Sequence, residues 1–529
     1  MKKRSIYIPV VSFFGLLLIG ALYYTLYHET VNLENHVVSE HPVHIHPDYS
    51  GIIIPPNIAP LNFRVEETAH RYYVIIHGDN GEDIIIYSRK ASVIIPPRAW
   101  KKLLEANRGQ QVCFDIYTKD PLGRWTRYDT IANTIASEEI DGYLAYRKIS
   151  ICVEWDAMGT YQRDLSNFNE TTILHNSTYG FGCGNCHSFR NNDPDYMAMQ
   201  IRSPEFGTPM LMVHDGQLNA INTKTAVTPG KCGFTAWHPN GRIIAFTLNK
   251  FTMLRHTSQL EVRDVFDSSA DLALYLIDSQ QVISTSAITQ SDQLETFPEW
   301  SPDGEYLYFC SSPQVEREHH RQVLCDLMRI RFDSQSRKWG QLETVVTADA
   351  VGGSITQPRF SPDGRYIIMS VSDYSDFPIH QANSNLYMLE VASGLCSKMP
   401  ISSERNDSWH GFSSNGRWVV FNSKRMNGRY SRLYFSYFDG SGAASKPFVL
   451  PQKYPSFYDS YTMAYNIPEL IIKPIKTTQG QFSESITNYA KSSAEIQAIT
   501  GATPEVARSA TTSQPDKTPQ LSPDAPKVN

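Results

Sequence analysis

Cys183-Gly184-Asn185-Cys186-His187 forms a single C-x-x-C-H, two thiols three positions apart with an imidazole directly after them. This spacing is the one that attaches c-type haem. Two thiols on one tight turn would form thioether bonds to the haem vinyl groups, and the adjoining imidazole would turn onto the iron. Gly184 suits such a turn, and Gly182 lets the chain approach closely. The expected cofactor is one covalent haem c on Cys183 and Cys186, with His187 as the iron ligand. A structural disulfide or half of a zinc site is the alternative. Zinc needs two more ligands, and the chain has no second C-x-x-C to supply them. The candidates for the other face of the iron are Met197, Met199 and His256, followed by Met210, Met212, His214 and His238. Methionine ligation raises the potential of a haem.

Such chemistry needs an oxidising compartment, and the N-terminus points to one. Met1-Lys2-Lys3-Arg4 precedes residues 5–27, which carry no charge. Ile6 to Tyr27 as a helix spans about 33 Å, enough for a hydrocarbon core of about 30 Å. The cations keep residues 1–4 in the cytoplasm and send the rest outward. A single-pass anchor in the cytoplasmic membrane is therefore expected, with the bulk in the periplasm. A cleaved signal leaving a soluble periplasmic protein is the alternative, although no A-x-A site is evident. With 529 residues the chain should hold two or three domains. A net charge of −6 and no basic run beyond the first residues exclude nucleic acid as an expected partner.

The scaffold reads as mainly β. Residues 28–50 look like a polar linker, although His36, His41, His44 and His46 also make a metal site conceivable. Residues 51–155 read as a β-sandwich, with a hairpin signal at Asp79-Asn80-Gly81 and helical spacing from Trp100 to Ala106. Residues 156–206 read as a short haem-binding insert, in which Arg163, Arg190 and Arg202 could meet the propionates. From 207 to 475 a repeat appears. Its units begin at Trp237, Trp300, Phe360 and Phe412, spaced 63, 60 and 52 apart. Each couples a strand to a Pro-Asp-Gly or Asn-Gly turn and a second apolar strand, where Pro presets φ and Gly accepts positive φ. Such units repeated radially make a β-propeller. Residues 208–222, closing with 461–472, bring the count to five blades, with six as the alternative. Residues 476–529 are Ser/Thr/Ala/Gln/Pro-rich and read as a disordered tail.

Cys310 and Cys325 could be cross-linked, as could Cys113 and Cys152; buried free thiols are the equal alternative. Asp264, Asp267 and Asp271 are weak calcium candidates. A hydrolase is disfavoured, because there is no G-x-S-x-G and Asp407, Ser408 and His410 lie too close in sequence to form a triad. No catalytic residue is expected.

The Ser-Pro-Asp-Gly units resemble those of TolB-type and other WD40-like (PD40) propellers. More widely, the chain resembles a family of exported Bacteroidetes proteins described as TolB-like or cytochrome c-like. The residues that carry this are Ile54 to Phe63, Ile140 to Arg147, Tyr161-Gln162-Arg163, Cys183 to Phe189, Trp237 to Gly241, Glu295 to Trp300 and Tyr465 to Glu469. The resemblance implies a periplasmic propeller with a haem-attachment motif. Gln200 stands where relatives are expected to carry a His. Two functions follow as expectations. One is a membrane-anchored monohaem electron-transfer protein with a periplasmic redox partner. The other is a non-enzymatic TolB-like envelope scaffold that binds a protein.

Overall fold

The computed structural model describes residues 35–151, 157–180, 182–225, 230–255, 261 and 263–489, together with the backbone of 498–500. The expected anchor at 5–27 and its cytoplasmic residues 1–4 lie outside the described residues. Among the described residues no helix is long and apolar enough to cross a membrane.

The Pro-Asp-Gly turns form as their residue types require. In one, Ser301 Oγ accepts from the Tyr306 N–H at 3.0 Å, Asp303 accepts from the Glu305 N–H at 2.9 Å, and Gly304 takes φ of 75°. The same pattern recurs at Ser361-Asp363-Gly364 and at Ser413-Asn415-Gly416. Each turn locks two strands into a hairpin, and two more strands complete a four-stranded sheet.

Among the described residues there are six such sheets, the alternative count rather than the five first expected. Blade 1 runs Cys183–Arg190, Asp193–Arg202, Met210–His214 and Gln217–Ile221. Blades 2 to 5 begin at Lys231–Trp237, Gln293–Trp300, Ser354–Phe360 and Asp407–Phe412. Blade 6 is composite: Met463–Ile471 pairs with Tyr143–Ser150, which continues into Gly159–Asp164 and Glu170–His175. The first strands of consecutive blades touch in turn, and the strand of blade 6 returns to that of blade 1, so the ring is closed. The expected closure of 461–472 onto 208–222 is corrected. The C-terminal strand instead takes three strands from before blade 1, and antiparallel pairing between distant parts of the chain ties the ring shut.

Several expected boundaries shift for the same reason. Tyr143–Ser150 leaves the N-terminal region for blade 6, and residues 156–206 are no separate insert but parts of blades 6 and 1. The N-terminal region has a seven-stranded mixed sheet and a three-stranded sheet, with parallel pairs at His36–Val38 and Ile53–Ile54. The expected linker is thus partly ordered, with His36–Val38 and Ile45–His46 in sheets. The helix Pro97–Ala106 buries Trp100, Leu103 and Leu104, and Trp100 stacks on Phe114 at 6.3 Å. The region sits on blade 5, where Asp141 accepts from the Ser414 N–H at 2.8 Å and the Trp418 indole donates to Glu138 O at 3.3 Å. The expected disordered tail is corrected at its start. Gln479–Tyr489 is a helix burying Phe482 and Ile486 in the same apolar cluster as Met197 and Met199. Residues 498–500 add a parallel strand to blade 2; residues 490–497 and 501–529 lie outside the described residues.

Candidate functional site

The six inner strands share one irregularity. In each, the pairing slips by one residue: between Gly184 and His187, Cys232 and Thr235, Thr296 and Glu299, Thr356 and Arg359, and Ser408 and His410, with the sixth slip opposite Ala145 and Arg147. One extra residue on one strand is a β-bulge, which re-aims a side chain. Four bulge residues hold left-handed backbone: Phe297, Gln357, Trp409 and Ile467, with φ between 46° and 55°. Such conformations cost about 1–3 kcal/mol each in non-glycine residues, most plainly in β-branched Ile467. They persist because the ring packs around them. Cys186, Phe234, Phe297, Trp409 and Ile467, one from each of five blades, meet in one apolar cluster. Phe234 stacks on Phe297 at 4.0 Å, and both approach Trp409 at 5.7 and 6.0 Å. Gln357, from the remaining blade, accepts from the Trp409 N–H at 2.9 Å. Together they plug the central channel.

The C-x-x-C-H lies in this plug. It is on the inner strand of blade 1, not on the tight turn that its spacing suggests, because Cys186-His187-Ser188-Phe189 is itself a copy of the repeat. Cys186 precedes Phe189 by three, as Phe297 precedes Trp300 and Trp409 precedes Phe412. Cys183 is partly exposed, with the Arg147 guanidinium 3.5 Å from its sulfur. Burial pushes the Cys186 thiol up to about 11, against the pull of Arg147 and Arg202. His187 is 1% exposed, and neither ring nitrogen has a hydrogen-bond partner among the described residues. Burial drives its pKa down to about 3, reinforced by Arg147 and Arg359, so the ring is neutral.

A haem asks two things of this site, and it meets one. A buried neutral imidazole with free nitrogens suits an axial ligand. The cavity that Cys186 and His187 line measures about 20 Å³, room for a water molecule, whereas cofactor sites run to about 300–1,000 Å³. A porphyrin does not fit there with the plug closed.

The other sequence-derived candidates disperse. Met197 and Met199 are fully buried between blades 6 and 1, beside Ile173 and Phe482. Met210 and Met212 fill the next junction. His214 and His238 donate to the Gly241 and Gly304 carbonyls at 3.1 and 3.0 Å, linking successive blades. His256 lies outside the described residues. Arg163 is locked on Pro451 O at 2.6 Å and Arg190 on Pro239 O at 2.7 Å, while Arg202 lies over the Phe251 ring at 4.5 Å and donates to Asn249 Oδ1 at 3.4 Å. Asp264 and Asp267 face Asp376. Asp271 instead lies beside Glu295. Cys113, Cys310 and Cys325 are free thiols, and Cys152 lies outside the described residues. Asp407 binds Ser403 and Arg425, and the His410 ring donates to Ile368 O, so no triad forms.

Above the plug, on the side of the Pro-Asp-Gly turns, is a cup of about 330 Å³. Phe189, Trp237, Trp300, Phe360 and Phe412 wall it, with Pro239, Pro302 and Pro362 at its rim. Arg359 bridges two carboxylates in it, reaching Glu299 at 3.2 Å and Glu469 at 2.9 Å, and so joins blades 3, 4 and 6. Burial raises Glu299 to about 7, and Arg359 only partly offsets this. The three side chains keep 14–24% exposure, so water in the cup moderates the shift. Glu469 is also raised by burial, against the attraction of Arg359. Sequence reasoning assigned these three residues no role. Glu299 and Arg359 share a column, directly before the aromatic of each repeat, whereas Glu469 precedes Leu470 and carried no such signal.

No protein-family model and no curated protein matches the chain. Among solved structures it is similar to TolB from Acinetobacter baumannii, at 14% identity over 68% of this chain and 79% of that one, with a TM-score of 0.40. A putative TolB from Agrobacterium tumefaciens is 14% identical over 63% of this chain and 99% of that one, with a TM-score of 0.35. A chain of a nidogen/laminin complex is 11% identical over 58% of this chain and 93% of that one, with a TM-score of 0.34. These are likenesses of fold; the propeller itself rests on the strand pairing and the closed ring.

Proposed function

We propose that this protein is a non-enzymatic binding propeller of the cell envelope that holds a projecting segment of a protein partner in the cup. The observation that carries this reading is the blind cup itself, with aromatic walls and Glu299, Arg359 and Glu469 in it, above a plugged channel. Above about pH 7, where Glu299 is ionised, two carboxylates against one guanidinium leave an uncompensated negative charge, which suits a segment bearing Lys or Arg. The cup's hydroxyls already serve the fold: Ser188 bonds Thr235, Ser361 bonds Asp363 and Ser414 bonds Asp141. No His, Cys or Lys lines it among the described residues, so no nucleophile stands beside a base. The segment at 5–27 would anchor the chain with the propeller facing the periplasm.

Trp237 and Trp300 report on occupancy. Titration with lysine- and arginine-bearing peptides should change their fluorescence. Glu299→Gln/Glu469→Gln should abolish the response, and it should weaken as pH falls through about 7, where Glu299 takes a proton. No response to any cationic peptide would overturn the reading.

A second reading, electron transfer by a haem c on Cys183 and Cys186, is favoured by the unpartnered ring of His187. It requires the plug to open. Haem staining and reduced-minus-oxidised spectra of protein from its own host test it, and Cys183→Ser/Cys186→Ser should remove the stain. A protein free of covalent haem leaves the binding reading alone.

A further inference from the structure

The histidine-rich stretch before the first long strand has no part in the propeller, yet it is held in place. Val43, Ile45, Pro47 and Tyr49 point inward and are buried, so His44 and His46 alternate outward. Ile45–His46 pairs with Arg64–Val65 antiparallel, and the Glu66 N–H donates to His44 O at 2.9 Å. That pairing brings Glu67 across from His44, and the Tyr72 hydroxyl fixes Glu67 by donating to its carbonyl at 2.9 Å. His44 Nδ1 lies 3.1 Å from Glu67 Oε1. The His41 ring stacks beside that of His44, centroids 6.2 Å apart, and packs against Tyr128 at 5.8 Å. One ligand atom from each of His41, His44 and Glu67 lies within 4.8 Å of the other two.

We propose that His41, His44 and Glu67 form a site for a borderline transition-metal ion of the zinc or copper(II) class. Two imidazoles and one carboxylate suit these ions and not calcium or magnesium, which take mostly oxygen ligands. His41 is already oriented for the task. Its Nδ1–H donates to Pro42 O at 3.0 Å, which leaves the Nε2 lone pair free, the arrangement that outer hydrogen bonds impose on metal-binding histidines. Glu67 needs only to exchange the His44 ring for the ion. The exposed side of the site leaves further coordination positions to water.

The test is calorimetric titration of the tag-free full chain with Zn²⁺, repeated with Cu²⁺, and cobalt absorption as a readout of geometry. One equivalent should bind per chain. His44→Ala should abolish binding, Glu67→Gln should weaken it at least tenfold, and His46→Ala should change it less than twofold, because His46 faces Asp459 at 3.4 Å. His44 is exposed, and Glu67 and His46 keep 22% and 30% side-chain exposure, so the variants should stay folded, with melting of the metal-free protein lowered by no more than a few degrees. Absence of binding by either ion overturns the proposal. So does binding that ignores Glu67→Gln but falls with His46→Ala, which would be chelation by a histidine-rich strand alone.

Discussion

The inner strands of blades 1 and 3 occupy equivalent places in the ring and carry the same one-residue bulge, with different chemistry. Blade 3 presents Phe297-Pro298-Glu299-Trp300, and blade 1 presents Cys186-His187-Ser188-Phe189. Phe297 fills the channel with a ring, and Pro298 brings neither an N–H nor a polar side chain. Blade 1 puts a small thiol and an imidazole with two unsatisfied nitrogens in the corresponding positions. An unpaired buried polar group costs about 1–3 kcal/mol. The bulge therefore accepts either set of residues. Blade 3 shows the choice that serves packing, and blade 1 shows a choice that packing does not explain.

The largest effect should come from the packed side of that comparison. Phe297→Ala should destabilise the protein by about 3–5 kcal/mol, the usual range for a buried Phe, read from denaturant unfolding. A loss under about 1 kcal/mol would mean that the plug is not a packed core. Next, Arg359→Met leaves Glu299 and Glu469 facing each other without a cation. Removing one partner of a buried ion pair costs about 3–5 kcal/mol, and exposure to the cup should lower this to about 2 kcal/mol. Adding Glu299→Gln and Glu469→Gln should restore most of the loss; additive losses would show that the three groups are not coupled.

Blade 3 has a buried ionisable group of its own, which sharpens the contrast. Glu295 is 0% exposed, and burial raises it to about 8, with Asp271 adding to the shift. Above its ordinary value the folded state holds a proton that the unfolded chain releases, so stability falls as pH rises from about 4.5 to about 8. Glu295→Gln should thus match the parent near pH 4.5 and exceed it by roughly a few kcal/mol at pH 9, given about 1.36 kcal/mol per unit. Equal stability at both pH values would reject a buried Glu295. The smallest effect belongs to blade 1. His187→Leu should stabilise the haem-free protein by about 1 kcal/mol, because it removes two unsatisfied nitrogens. A loss instead would show that the imidazole has a partner in solution.

The propeller was legible wherever a repeat closes with Pro-Asp-Gly or Asn-Gly, because a turn is a local device whose residues specify their own φ. Blades 1 and 6 escaped notice because their copies lack that turn. Phe189 is followed by Asn191 and Asn192, which reach positive φ without glycine, and Leu470 stands in the aromatic's place with no glycine turn after it. The site was legible only as letters. The C-x-x-C-H was visible, but its position on a strand follows from the hydrogen bonds of its neighbours.

The amino-acid sequence by itself determined the hairpins, their turns and the alternation that buries one face, all from contacts within a few residues. Tertiary structure alone decided the sixth blade, since Met463–Ile471 pairs with strands some 300 residues earlier. It also decided that six bulges point at one axis, that Arg359 lies between two glutamates from other blades, and that His187 finds no hydrogen-bond partner among the described residues. Those outcomes depend on groups far apart along the chain, and nothing in the local preferences of either partner records that they will meet.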